Sequence, residues 1–365
     1  MLKINDLTRH HAPLADALAA RAQAVLVSGW FVLGPEVAAF EEAFARYCGT
    51  DHAIGVANGT DALELALRAI DAGPGSQVIN VANAGMYTTA AILAVGATPR
   101  FVDVRDDDLS IDVSRLSDAL TPATRAIVVT HLYGQLADVE PVLALAAERA
   151  IPVIEDCAQA HGATLHRKRA GSFGAIGCFS FYPTKNLGAL GDGGALVTSD
   201  SSLATRLRSL RQYGWSSKYH ATVPHGRNSR LDEIQAALLS VKLPHLDAWN
   251  ARRSAIAAYF SKHIDHPAIR VPEIHAGRNV AHLYVVRSAQ RDALRAHLSA
   301  HGIAAEPHYP IADHQQPVLA EVCADISLPI TERACAEVLT LPCFPEMTHA
   351  EVEHVVYACN AWKPQ

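Results

Sequence analysis

The chain predicts an α/β fold: a large domain with a mostly parallel sheet between helices, followed by a smaller C-terminal α/β domain. Three observations carry that expectation. Between residues 53 and 155, short apolar runs alternate with helix-length segments, as in units whose helical crossovers cover both faces of a parallel sheet. Two more apolar runs, 176–181 and 195–198, flank a turn crowded with glycines. At 365 residues, with 50% hydrophobic and 19% charged residues, the chain can build one large core and a second, smaller one, or hide surface in a dimer.

In order, residues 1–28 read as an arm and a helix, with Ala and Leu at helical spacing over 14–27. Residues 28–35 break it and carry Trp30 and Phe31, an exposed-looking aromatic pair with core packing as the alternative. A helix over 36–47 leads to a strand that passes through Asn58-Gly59 into another helix, and Gly73-Pro74-Gly75 closes the unit. Strand 77–81 opens into Asn83-Ala84-Gly85-Met86-Tyr87-Thr88-Thr89 and a helix. Then come strand 98–104, helix 112–120, strand 126–130, helix 138–149 and strand 151–155. Residues 199–213 form a helix with a solvated basic face. Residues 214–228, with Lys218, Tyr219, His220 and His225, form a long loop, and loops of that length tend to be functional or ordered by a partner. A helical stretch over 230–264 is interrupted near Pro244. The domain boundary falls inside it, giving domains 1–245 and 246–365. The second holds a strand at 280–287, a helix at 290–301 closed by Gly302, and a helix from about 348.

The stretch from Cys178 to Gly194 organises the chemistry. Its apolar strand is stopped by Pro183, and Lys185 comes next on the glycine-rich turn. A lysine held between two buried strands is partly desolvated, which lowers its pKa and makes it an amine nucleophile. The plain alternative is a solvated hairpin lysine. Two other stretches weigh against it. In Ile151-Pro152-Val153-Ile154-Glu155-Asp156-Cys157-Ala158-Gln159, a buried strand ends in an acid with Gln159 three residues on. Ligands of open α/β sheets bind beyond the carboxyl ends of strands, where Asp156 stands. An Asp there can hold a protonated ring nitrogen, and a Gln can bond a ring hydroxyl; a simple turn cap is the other reading. In Ala57-Asn58-Gly59-Thr60-Asp61-Ala62-Leu63-Glu64, a helix starts at a strand end, a ready phosphate site, or an ordinary helix capped through Asp61 and Glu64.

Together these supply a Schiff-base lysine, a pyridinium partner and a phosphate cradle, the equipment for pyridoxal phosphate. The chain also resembles the DegT/DnrJ/EryC1/StrS family of sugar aminotransferases, of aspartate aminotransferase fold type I. The resemblance runs over nearly its whole length, through Leu33-Gly34-Pro35-Glu36-Val37, Gly59-Thr60-Asp61-Ala62-Leu63, His131-Leu132-Tyr133-Gly134, Glu155-Asp156-Cys157-Ala158-Gln159-Ala160-His161-Gly162, Ser180-Phe181-Tyr182-Pro183-Thr184-Lys185-Asn186, Asn228-Ser229-Arg230-Leu231-Asp232 and His308-Tyr309-Pro310. It implies that Lys185 binds pyridoxal 5′-phosphate covalently and shuttles a proton, that Asp156 pairs with the pyridinium nitrogen, and that Gln159 sits by the ring hydroxyl. It implies a phosphate held by the Gly59 and Thr60 amides, Ser180, and Asn228 from a second subunit of a homodimer with shared sites. Many relatives place an aromatic where Gly85 falls, to stack on the ring; here Tyr87, or Met86, takes that place from a shifted position. Tyr182, His308 and Tyr309 are implied near the substrate, with packing between domains as the alternative for each. Residues 81–87 look more like enzymes acting at C3 of dTDP-linked ketohexoses than at C4. The expected reaction moves an amino group from glutamate or glutamine to a nucleotide-linked keto-6-deoxysugar.

Composition narrows the partners. A formal net charge of -6 disfavours nucleic acid or an anionic membrane as partner. The first 16 residues lack an apolar core of signal-peptide type, and no apolar run is long enough to span a bilayer. Seven cysteines without a Cys-x-x-Cys pair fit a reducing cytoplasm, and no structural metal is expected. Two rivals remain: a pyridoxamine-phosphate sugar dehydratase of the same fold, in which His replaces the lysine, and a regulatory relative without turnover. Lys185 disfavours the first; Lys185, Asp156 and Gln159 together disfavour the second.

Overall fold

The computed structural model describes residues 1–364. Its centre is a seven-stranded sheet of β1 (His52–Val56), β2 (Gln77–Asn80), β3 (Thr98–Phe101), β4 (Thr124–Thr130), β5 (Val153–Asp156), β6 (Ile176–Ser180) and β7 (Gly194–Thr198). They lie in the order β1-β7-β6-β5-β4-β2-β3. β7 is antiparallel to both neighbours and every other pairing is parallel, so six strands share one direction. The expected parallel sheet is therefore present with one reversed strand. That strand returns through the glycine turn after β6, a connection too short for a helical crossover.

Both faces of the sheet are buried, because strand side chains alternate between two apolar layers. Phe179, Ala195 and Val197 pack with Phe40 and Phe44 of the helix Pro35–Cys48. Ile176, Cys178 and Leu196 pack on the other side, under the helices Gly59–Ala69 and Ser201–Leu210. A third apolar cluster gathers Ile256, Phe260, Tyr284, Leu294, Leu298 and Val355 from the C-terminal part. There the strands Tyr284–Arg287 and Val338–Leu341 pair antiparallel.

Several local expectations change. The strand expected at 280–287 begins at Tyr284, because Val280 and Leu283 donate to the Gly134 and Tyr133 carbonyls instead. Residues 112–120 hold only a 3₁₀ turn and one helical turn. The long loop 214–228 contains a small hairpin, Trp215–Ser217 with His220–Ala221, braced by ring contacts of Trp215 with Tyr213 and Tyr219. The helix Gly59–Ala69 is capped by Asn58, whose side chain accepts from the Asp61 amide at 2.8 Å, and not by an Asp61–Glu64 box. No helix among the described residues is long and apolar enough to cross a membrane.

Candidate active site

The carboxyl ends of β1, β2, β4, β5 and β6 converge on one cavity of about 630 Å³, lined among others by Gly59, Thr60, Tyr87, Asp156, Gln159, Ser180, Tyr182 and Lys185. Register explains the convergence: Asp156 lies level with Thr130 on β4 and Cys178 on β6. Side chains at the strand ends therefore share one edge of the sheet.

Lys185 comes after β6 on a turn in which its amide donates to the Tyr182 carbonyl at 2.8 Å. Burial lowers its pKa to about 8, against the opposing attraction of Asp156. The turn is tied down from behind. Asn186 donates to Asn250 Oδ1 at 2.8 Å and to the Val280 carbonyl at 3.1 Å, and Lys242 Nζ donates to the Gly188 carbonyl at 2.6 Å. Asp156 is 6% exposed. Burial pushes its pKa up, opposed by the Ala158 amide, the Thr88 hydroxyl, and the charges of Lys185 and His131. A buried acid of this kind gains most from a cation placed beside it.

The part of the cavity at the helix start is built by close approach. A Cβ on Gly59 would lie 2.6 Å from Ser180 Cβ, so only glycine lets the helix start reach Ser180. The first backbone N–H groups of a helix lack intrahelical partners and face an anion well. The acids of that first turn, Asp61 and Glu64, are neutralised by Arg227, whose guanidinium lies 3.3 Å from Asp61 and closer to Glu64. These residues fit a phosphorylated pyridine aldehyde: one cavity holds a helix start that could take the phosphate, an amine that could take the aldehyde, and an acid that could pair with a ring nitrogen.

The remaining expected residues divide. Gln159 Oε1 accepts from the Tyr133 amide at 2.7 Å, and its Nε2 donates to the Tyr309 hydroxyl at 3.1 Å. Tyr309 packs edge-on to Tyr87 at 5.9 Å. Its ring fills the space beside Gly85, where a Cβ would come within 2.9 Å. Of the two residues considered for stacking, Tyr87 lines the cavity, whereas Met86 packs against a separate apolar cluster with Phe101 and Leu319. His308 does not line this cavity, though the charge of Lys185 reaches it. It lines a neighbouring one of about 510 Å³ with Lys3, Asn5 and Thr184, and its Nδ1 lies 2.8 Å from Thr340 Oγ1. Asn228 also lies outside, in a cleft with Asp192, Arg230 and Gln235. Trp30 and Phe31 are exposed.

Sequence reasoning gave no role to Thr88, Lys242, Asn186, Glu155 or Asp313. Thr88 and Asn186 neighbour the residues singled out by motif, but nothing in their types marks a role. Glu155 accepts from the amides of Gly171, Phe173 and Gly174 at 2.7–2.8 Å and lies 3.0 Å from His131 Nε2. It approaches His131 and Cys157 closely enough to suggest a metal group, yet three amides already occupy its oxygens.

The fold and this site together define an aminotransferase. The chain belongs to the DegT/DnrJ/EryC1/StrS aminotransferase family, whose model matches residues 14–360. It is 46% identical over 351 residues to the dTDP-3-amino-3,4,6-trideoxy-alpha-D-glucose transaminase of Streptomyces venezuelae, covering 95% of this chain and 91% of that one. It is 43% identical over 351 residues to the UDP-N-acetyl-3-dehydro-alpha-D-glucosamine 3-aminotransferase of Acidithiobacillus ferrooxidans, covering 96% and 95%. Among solved structures, DesV of S. venezuelae in complex with a ketimine intermediate superposes with a TM-score of 0.95 at 43% identity, covering 99% of this chain and 98% of that one.

Proposed function

We propose that this enzyme moves an amino group from glutamate or glutamine to the C3 keto carbon of a nucleotide-linked sugar, a dTDP-linked 3-keto-6-deoxyhexose by preference, with pyridoxal 5′-phosphate as cofactor. The observation that carries the reading is Lys185, desolvated and facing Asp156 at the convergence of five strand ends. Both named relatives act at C3, one on a dTDP sugar and one on a UDP sugar, which supports the position more strongly than the nucleotide.

The cofactor supplies an electron sink for the carbon that loses its proton. Lys185 Nζ is the base that takes a proton from the amino donor's α-carbon and later delivers one to the sugar carbon receiving nitrogen. Asp156, held by Thr88 and Ala158, keeps the ring nitrogen protonated. Gly59, Thr60 and Ser180 would seat the phosphate and Gln159 and Tyr87 would bound the ring; Tyr182 lines the same cavity, and Tyr309, which meets Tyr87 and Gln159, would stand with it near the substrate. The protein works as a cytoplasmic homodimer, divided near residue 245 into a cofactor domain and a smaller one. Asn228, outside its own chain's cavity, reaches the neighbour's phosphate.

A panel of nucleotide ketosugars differing in nucleotide and keto position, incubated with glutamate or glutamine and read by mass spectrometry, tests the reading. Amination of a C3-keto dTDP sugar is expected. Amination of C4-keto sugars alone would overturn the regiochemistry, and no amination of any sugar would overturn the function.

A further inference from the structure

We propose that Asp313 is a positioning residue for the reaction: its carboxylate holds the turn at residues 85–89 so that Thr88 donates to Asp156. The inference rests on the reading of Asp156 as partner of the ring nitrogen.

Asp313 is 1% exposed and stands 157 positions beyond Asp156 in the chain. Its Oδ1 accepts from the Met86 amide at 2.9 Å and its Oδ2 from the Thr89 hydroxyl at 2.5 Å. Its own amide donates to the Ala82 carbonyl at 2.7 Å. Thr89 is held in turn by Asn80 Nδ2 at 3.0 Å. All of these contacts lie on one short segment, the end of β2 and the start of the helix Tyr87–Ala94.

That segment needs outside support. Gly85 and Met86 both have left-handed φ, 77° and 70°, and Met86 as N-cap offers no side-chain bond to the helix. A helix of eight residues without a cap is marginal by itself. Asp313 braces the helix start from a distant part of the chain by taking the Met86 amide and the Thr89 hydroxyl, with the sign the helix dipole favours. Between the two residues it grips stands Thr88, whose Oγ1 donates to Asp156 Oδ2 at 3.1 Å. Shortly before Asp313 in the same segment come Tyr309 and Pro310; Tyr309 meets Tyr87 and Gln159. One C-terminal segment therefore sets both the acid's hydrogen bond and the adjoining wall.

Burying a carboxylate is costly, and here burial raises its pKa to about 6 despite the Thr89 and Met86 bonds. Burial and, next, the charge of Asp313 push the Cys335 thiol up. The groups facing Asp156 itself are Thr88, Ala158, Lys185 and His131.

The test titrates Asp156 in cofactor-free protein by carbon-13 NMR of labelled aspartate, assigned with Asp156→Asn. Thr88→Val should raise the Asp156 midpoint, because the donor that favours the carboxylate is gone. Asp313→Leu should raise it in the same direction, and the double variant should raise it no further than Thr88→Val alone. Should Asp313→Leu fail to fold, Thr89→Val, which removes one of the two bonds at nearly equal volume, is expected to give a smaller rise. An Asp156 midpoint unchanged by whichever of these two variants folds, or fully additive shifts in the double variant, overturns the proposal. The readout needs no cofactor, so it is separate from the role of Asp156 in turnover. An active Asp156→Asn enzyme would remove that role while leaving the Asp313–Thr88 coupling as measured.

Discussion

Glu155 and Asp156 are consecutive residues of β5 whose carboxylates point to opposite sides of the strand, as alternation requires. Glu155 closes the loop 171–174 through three amides, and Asp156 enters the cavity. One acid braces a loop, and the other is the proposed partner of the cofactor's ring nitrogen. Glu155→Ala is expected to cost about 3–5 kcal/mol, because three buried donors lose their acceptor. The check is the denaturant midpoint of the purified variant, and a value equal to wild type would refute it.

Lys185 is expected to attach added cofactor with a pH dependence set by its lowered pKa. Desolvation brings that pKa from 10.5 to about 8, so the neutral amine is more abundant at any pH between those values. The attachment rate should climb with pH and level off above about 8; a climb continuing toward the range of an ordinary lysine would mean a hydrated amine. Lys185→Ala should hold no cofactor fixable by borohydride.

Asp156→Asn should retain the cofactor yet lose turnover by about a hundredfold or more, because a neutral amide no longer stabilises charge developing on the ring. Absorbance of bound cofactor and steady-state rates separate the two effects. Turnover within a fewfold of wild type would relieve Asp156 of its role.

Gly59→Ala should weaken cofactor binding by about tenfold or more, since its Cβ would fall 2.6 Å from Ser180 Cβ and force the phosphate seat apart. Equilibrium titration of the apo-protein measures this. An unchanged affinity would place the phosphate elsewhere.

A shared site predicts complementation. Lys185→Ala and Asn228→Asp chains, unfolded together and refolded as a mixture, should form heterodimers as about half of all dimers. In each, one site carries both lesions and the other none, so about one quarter of wild-type site activity should return. A mixture no more active than its parents, with subunit exchange verified by mass, would place both residues in one site of one chain.

Local patterning alone determined the strands, most of the helices, and the lysine, acid and glycine that end three of the strands. Near neighbours are enough for each of these: an apolar run makes a buried strand, and the residues just beyond its carboxyl end face the ligand edge. Only the tertiary structure decided which distant groups complete the site. The reversal of β7, the place of His308 in a neighbouring cavity, and the presence of Tyr87 rather than Met86 along the main one depend on packing across the sheet. Asp313 lies in no motif, and its role exists because the C-terminal segment folds back onto the turn at 85–89. Hydrogen bonds and burial between residues more than two hundred positions apart leave no periodic trace in the chain, so they could be read only after it had folded.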